Sequence, residues 1–122
     1  MSEQTLEMLI DRYCAAWNTQ DGGERREILK SVLAEDGLYV DPSVRTVGAE
    51  ALAVHIDGVV ARNPGARISR TGAVDAHHEV LRFAWSNRLA SGTVLRQGID
   101  FCVLATDGRF QSIVGFLDPA ST

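Results

Sequence analysis

The chain has 122 residues, which predicts one domain spanning 1–122, since domains hold roughly 100–200 residues. Apolar residues make up 45% and charged residues 23%, which is typical of a globular chain and excludes a disordered one. The net charge is −4 and basic residues are scattered, so we expect no nucleic-acid partner, because such binding needs clustered Lys and Arg. No apolar run approaches the ~18 residues of a membrane span. The N-terminus also lacks the basic start of a secretory signal, so we expect a cytoplasmic protein with no membrane partner.

The first half of the sequence has helical periodicity. Apolar side chains recur every three or four positions, which predicts helices over 3–18, 24–35 and 49–62. A short strand is predicted over 38–41, and Pro42 ends it because proline has no backbone N–H to donate.

The second half alternates apolar and polar residues, which predicts long strands over 66–76, 78–89, 93–105 and 109–117. Helices followed by strands indicate an α+β fold, with the helices packed on one face of an antiparallel sheet. Long strands curl when one face is covered. Three N-terminal helices do not fill the whole concave side, so we expect a curved sheet that encloses a small-molecule cavity.

Three polar residues are candidates for chemistry. Asp100 lies in mid-strand between Ile99 and Phe101, where a buried carboxylate is costly unless it is paired, hydrogen-bonded or protonated. A solvated strand face is the alternative. Asp41 ends the short strand before a proline, which is also ordinary turn chemistry. Tyr13 lies on the apolar stripe of the first helix, where a core tyrosine is the alternative.

Together these residues resemble the ketosteroid isomerases of the nuclear transport factor 2-like superfamily, which also holds the SnoaL-like polyketide cyclases. The resemblance rests on these segments: Arg12-Tyr13-Cys14-Ala15-Ala16-Trp17-Asn18, Asp36, Val40-Asp41-Pro42, Gly48 and Ile99-Asp100-Phe101. It implies a cone-shaped curved antiparallel sheet wrapped over the three helices. It also implies that Asp41 is a general base and that Tyr13 and a protonated Asp100 form an oxyanion hole, with no cofactor and no metal. Donors placed in advance in a dry cavity stabilise the negative charge that develops on a carbonyl oxygen.

Six further residues are predicted to line the cavity and bind substrate: Trp17, His55, Phe83, Trp85, Arg96 and Phe116. Arg96 shares a strand face with Asp100, so it would keep that carboxyl ionised or bind an anionic group, unless its head group reaches water. The adjacent His77 and His78 are read as strand or turn residues, and neighbouring strand residues face opposite sides, so we expect no shared metal there. Cys14 and Cys102 are expected to be buried free thiols.

The resemblance implies an isomerase-type enzyme that transfers a proton next to a carbonyl of a small apolar or polycyclic substrate, such as a steroid or polyketide. A non-catalytic small-molecule-binding protein on the same fold remains an alternative, as do cyclase-like and epoxide-hydrolase-like reactions. The family resemblance also implies a homodimer formed through the outer sheet face. The apolar residues Ile99, Phe101 and Val103 on that face agree with a homodimer, because bare apolar patches favour partners.

Overall fold

The computed structural model describes residues 2–118, which form three helices and a seven-stranded sheet. In chain order the elements are α1 (Glu3–Asn18), α2 (Gly22–Val32), β1 (Leu33–Asp41), β2 (Val44–Val47), α3 (Ala49–Arg62), β3 (Arg67–Arg70), β4 (Asp75–His77), β5 (Val80–Arg88), β6 (Val94–Leu104) and β7 (Phe110–Leu117). The predicted α+β architecture is confirmed, and the bounds of the first and third helices agree with the predicted ones.

Several details differ from the prediction, and one of them is that the first strand begins at Leu33 and not at 38. The second helix ends at Val32 and not at 35 because the backbone becomes extended at Leu33. This residue is buried and pairs with β7. A strand not predicted from the sequence, β2, pairs antiparallel with β1 across a two-residue turn. The single strand predicted over 66–76 is two short strands, β3 and β4, and both pair with β5.

The sheet has the order β2-β1-β7-β6-β5-β3, with β4 also paired to β5. Adjacent strands in the sheet are antiparallel except for β1 and β7. These two run parallel, and their pairing joins the first half of the chain to the second. The helices cover one face, and the fully buried residues between the two layers include Ile10, Leu29, Leu52, Ile56, Phe110 and Ile113. Burying each such side chain contributes about 1.5–3 kcal/mol of stability. In residues 2–118, no helix is long and apolar enough to cross a membrane.

Two polar side chains fix the helices in place. Asn18, at the end of α1, donates to the carbonyl of Ile68 at 2.8 Å and accepts from its N–H at 2.7 Å, so the helix end acts as a partner for β3. Arg25 is 2% exposed and donates to the carbonyls of Ala16 and Thr19. It also pairs with Asp57, which joins α2 to α3. These contacts set where α1 lies against the sheet, and α1 carries Tyr13.

Replacing Asn18 with Leu should lower the free energy of unfolding by about 2–3 kcal/mol. Two backbone groups of Ile68 would then lose their partner in a partly buried place, and each unsatisfied group costs about 1–3 kcal/mol. Chemical denaturation measures the loss. The control is Gln20→Leu, at an exposed position two residues further on, and it should change stability by less than about 0.5 kcal/mol. Equal losses in the two variants would contradict the role given to Asn18.

Candidate active site

The two candidate carboxylates lie in one row of the sheet, on either side of a glycine. In the parallel pair of β1 and β7, Val40 is opposite Val114, so the next residues, Asp41 and Gly115, lie side by side. In the antiparallel pair of β6 and β7, Gly115 is opposite Asp100. A Cβ added at Gly115 would lie 2.9 Å from Asp100 Oδ1 and 3.5 Å from Asp41 Cβ. The glycine therefore leaves open the space between the two acids.

The row opens into a cavity of about 50 Å³ between the sheet and α1. Its lining combines aromatic rings, two carboxyl groups and small apolar groups: Tyr13, Cys14, Trp17, Tyr39, Asp41, Ile68, Phe83, Trp85, Asp100, Gly115 and Leu117. The three predicted catalytic residues thus meet at one cavity, and so do Trp17, Phe83 and Trp85 from the predicted substrate-binding set.

Asp100 is held in a mostly apolar environment. It is 6% exposed, and its Oδ1 accepts a hydrogen bond from Trp85 Nε1 at 3.0 Å. The Trp85 indole approaches because it lies against Gly98, where a Cβ would be 3.0 Å from the ring. Burial raises the pKa of Asp100 to about 7; the Trp85 hydrogen bond opposes this rise, and the charge of Asp41 adds to it. Near neutral pH the carboxyl therefore exists in both forms, and the protonated form donates a hydrogen bond.

Asp41 has the opposite environment, although it borders the same cavity. Its Oδ1 accepts from Ser43 N at 2.7 Å and from Ser43 Oγ at 2.6 Å, and its Oδ2 accepts from Tyr39 Oη at 2.6 Å. His55 Nε2 lies 4.0 Å from Oδ2. Burial alone would raise the pKa of Asp41, but the hydrogen bonds from Ser43 and Tyr39 and the nearby His55 lower it below its usual value. Asp41 is therefore ionised at neutral pH.

Both tyrosines at the cavity remain protonated. Burial first, and then the nearby Tyr39 and Asp100, raise the pKa of Tyr13 well above its usual value. Burial and the hydrogen bond to Asp41 likewise raise the pKa of Tyr39. Tyr39 was missed in the sequence, although a signal was present. Residues two apart in a strand share a face, so Tyr39 and Asp41 point to the same side.

The other three predicted substrate-binding residues lie outside the cavity lining. His55 is behind Asp41, with its ring centroid 6.2 Å from those of Trp17 and Tyr39. Arg96 is exposed near the start of β6. Phe116 is 59% exposed on the outer sheet face, with its ring centroid 5.7 Å from that of Phe101. No lysine or arginine belongs to the described lining.

The geometric reason given against a shared metal at His77 and His78 was wrong. His78 follows β4 in a turn with a positive φ of 54°, and the two Nδ1 atoms lie 3.1 Å apart. The two rings are therefore on the same side. Within residues 2–118, however, no group of three or more potential metal ligands occurs.

A relative among the solved structures is similar enough in sequence to establish the family of this chain. No protein-family model and no curated protein matches the chain. Among solved structures, it is similar to a SnoaL-like protein of Agrobacterium tumefaciens that is named as a candidate isomerase. That protein is 34% identical, with coverage of 91% of this chain and 95% of the relative and a TM-score of 0.85.

Two more distant structures share the fold. An NTF2-like protein of unknown function from Exiguobacterium is 19% identical, covering 91% of this chain and 98% of its own, with a TM-score of 0.71. A SnoaL-like protein of unknown function from Burkholderia thailandensis is 13% identical, covering 97% and 98%, with a TM-score of 0.74. From the identity and coverage shared with the Agrobacterium protein, the chain belongs to the SnoaL-like family of the nuclear transport factor 2-like superfamily.

Proposed function

We propose that this protein is a cofactor-independent enzyme that moves a proton from the carbon next to a carbonyl group to another carbon of the same substrate. The observation that carries the proposal is the pair of acids on either side of Gly115. Asp41 is kept ionised by its hydrogen bonds, and Asp100 is buried so that its protonated form is available. Environments that push two carboxyl pKa values apart fit an acid and a base acting on one substrate. The isomerase name of the Agrobacterium relative supports the same class of reaction.

The proposed reaction uses Asp41 as the base. Its carboxylate takes a proton from the carbon beside the carbonyl, and the electron pair of that C–H bond moves into a dienolate with the negative charge on oxygen. Tyr13 and protonated Asp100 donate hydrogen bonds to that oxygen, and each such donor is worth about 2.7–4 kcal/mol in comparable sites. Asp41 then returns the proton to the γ carbon, and the double bond becomes conjugated with the carbonyl. No net proton is gained or lost.

A non-catalytic binding protein is the second candidate, and one observation favours it. Three hydrogen bonds from Tyr39 and Ser43 hold the carboxylate of Asp41 and lower its pKa. A general base works best when its pKa is near the working pH, so these bonds weaken Asp41 as a base. In the binding-protein case, Asp41 would shape the cavity and take no proton from the ligand.

We also propose that the protein is a homodimer joined through the outer sheet face. The exposed large apolar residues of this face are Val80, Ile99, Phe101, Val103 and Phe116, which are 38–59% exposed. They lie on β5, β6 and β7, on the side of the sheet away from the helices. A second copy would bring the same apolar surface, which matches a two-fold interface in which each patch contacts its own copy.

Turnover of 3-cyclohexen-1-one into its conjugated isomer tests the catalytic proposal, because the conjugated product absorbs in the far ultraviolet much more strongly than the substrate does. Asp41→Asn should lower kcat by about 10²–10⁴-fold, since the base is lost. Tyr13→Phe should lower kcat by about 10²–10³-fold, since one oxyanion donor is lost. Asp75→Asn, an exposed carboxylate in β4, is the matched control and should leave kcat unchanged. Ligand binding without turnover of this or longer β,γ-unsaturated ketones would favour the binding-protein candidate.

The pH profile tests the role of Asp100. Above its pKa of about 7 the carboxyl ionises, stops donating and adds a second negative charge to the cavity. The value of kcat/KM should therefore fall about tenfold per pH unit above that pKa. Asp100→Asn keeps an N–H donor at every pH, so this decline should disappear in the variant. A wild-type profile that stays flat between pH 6 and 9 would contradict the assignment.

Phe116→Glu tests the homodimer. The change places a charge in the middle of the apolar outer face, so light scattering should give the mass of one chain where the wild type gives two. The control is Met8→Glu, at a 66% exposed residue of α1, which should leave the mass unchanged. A wild-type mass of one chain at micromolar concentration would overturn the proposed assembly.

A further inference from the structure

We infer that the substrate is a compact, uncharged carbonyl compound of at most one ring, and that Gly115 sets this limit. The inference rests on the proposed function, because it names the substrate class of the same site. It departs from the steroid-like or polyketide-like substrate that the resemblance implies.

The first argument is the size of the cavity. A volume of about 50 Å³ is far below the roughly 300–1,000 Å³ of pockets for larger small molecules. An engineered apolar cavity of roughly 150 Å³ is enough for benzene. The present cavity is about one third of that size, so a single ring is the largest group that we expect it to admit. Four fused rings would require several walls to move together.

The second argument is that hydrogen bonds hold the walls. The Trp85 indole is bonded to Asp100, and the Tyr39 hydroxyl is bonded to Asp41. Phe83 is 2% exposed and belongs to the core between the helices and the sheet. Enlarging the cavity would break bonds to the two acids that the chemistry uses, or would open the core. A large ligand would thus lose part of the machinery that acts on it.

Gly115 provides the space that remains. The flanking acids belong to β1 and β6, so they are two strand spacings apart, or roughly 9–10 Å between their backbones. Any side chain at Gly115 would enter this space, since even a Cβ meets Asp100 Oδ1 at 2.9 Å. A flat group lying over the glycine has one acid on each side, which is the arrangement that proton removal and oxygen stabilisation both need.

The third argument is charge. The cavity lining carries two carboxyl groups, and no lysine or arginine belongs to the described lining. The nearest arginine considered from the sequence, Arg96, is exposed outside it. A carboxylate or phosphate on the substrate would lose its water shell and face at least the ionised Asp41. An anionic group on the substrate is therefore disfavoured inside the cavity.

A ligand series tests the inference at about pH 6, where Asp100 is mostly protonated. Phenols are suitable probes, because a phenol oxygen accepts the same hydrogen bonds as the enolate oxygen. Calorimetry on the wild type compares phenol, 2-naphthol and the four-ring phenol equilenin, with 4-hydroxybenzoate as the anionic analogue. We expect binding of phenol, at least tenfold weaker binding of 2-naphthol, and no binding of equilenin or 4-hydroxybenzoate.

Two glycine variants test the role of Gly115. Gly115→Ala should abolish phenol binding, because the new methyl group fills the space between the acids. Gly72→Ala is the matched control, since a Cβ there meets nothing within 4 Å, and it should bind phenol as the wild type does. Circular dichroism establishes that both variants are folded. If Gly115→Ala fails to fold, the ligand series on the wild type still tests the size limit.

The outcomes separate this inference from the proposed function. Equilenin binding as tightly as phenol, or 4-hydroxybenzoate binding at all, would overturn the inference and leave the proposed reaction in place. A folded Gly115→Ala variant that binds phenol normally would overturn the role of Gly115. Absence of binding by every phenol, together with absence of cyclohexenone turnover, would overturn both the inference and the proposed function.

Discussion

The parallel pairing of β1 with β7 is the contact on which the site depends. Asp41 belongs to the helical first half of the chain and Asp100 to the strand-rich second half, and β7 lies between their strands. A shift of one residue in either register would turn one carboxylate to the opposite face of the sheet, since the side-chain period of a strand is two. The core contacts that hold β1, above all the burial of Leu33 and Tyr39, therefore also fix the position of Asp41 relative to Asp100.

The two carboxyl groups at this cavity have pKa values shifted in opposite directions because their hydrogen-bond partners differ. Asp41 is the last residue of β1 and caps the turn that follows, where Ser43 supplies a backbone and a side-chain donor. Asp100 is in mid-strand, where its neighbours' backbone groups are used in the sheet, and its carboxyl accepts a hydrogen bond from the Trp85 indole. Position within the strand, at its end or in its middle, thus decides which carboxyl holds its proton. Burial raises the pKa in both cases, and only at the strand end do enough donors outweigh it.

Much of the fold could be predicted because period and turn chemistry are local. The bounds of α1 and α3 follow from apolar spacing, and the turns at Gly92 and Gly108, with φ of 92° and 88°, follow from glycine's access to that region. The end of α2 could not be placed, because Leu33 fits a helical stripe as well as a strand, and its pairing with β7 is a long-range contact. Arg96 and Asp100 were assigned to one strand face, yet the burial of Arg96 depends on how far the helices cover that face.

The site was predictable in part for the same reason. Tyr13, Asp41 and Asp100 are candidates from their positions in the predicted elements, the resemblance implies their roles, and the structure brings them to one cavity. The roles of Gly115 and Gly98 could not be found, since the need for a missing side chain appears only once neighbouring strands are aligned. Phe116 was predicted to line the cavity but lies on the outer face of β7. Both faces of this strand carry apolar and polar residues, so the sequence does not tell which face points inward.

The position of Cys14 has a consequence for the product of the proposed reaction. A conjugated enone is an electrophile that alkylates thiolates, and Cys14 lines the cavity in which it would form. Burial, with the nearby Asp100 and Asp11, raises the pKa of the Cys14 thiol to about 12. At neutral pH about one thiol in 10⁵ is then ionised, and the neutral thiol is a poor nucleophile. Burial of the Cys14 thiol would thereby also protect the protein from alkylation by the product of the proposed reaction.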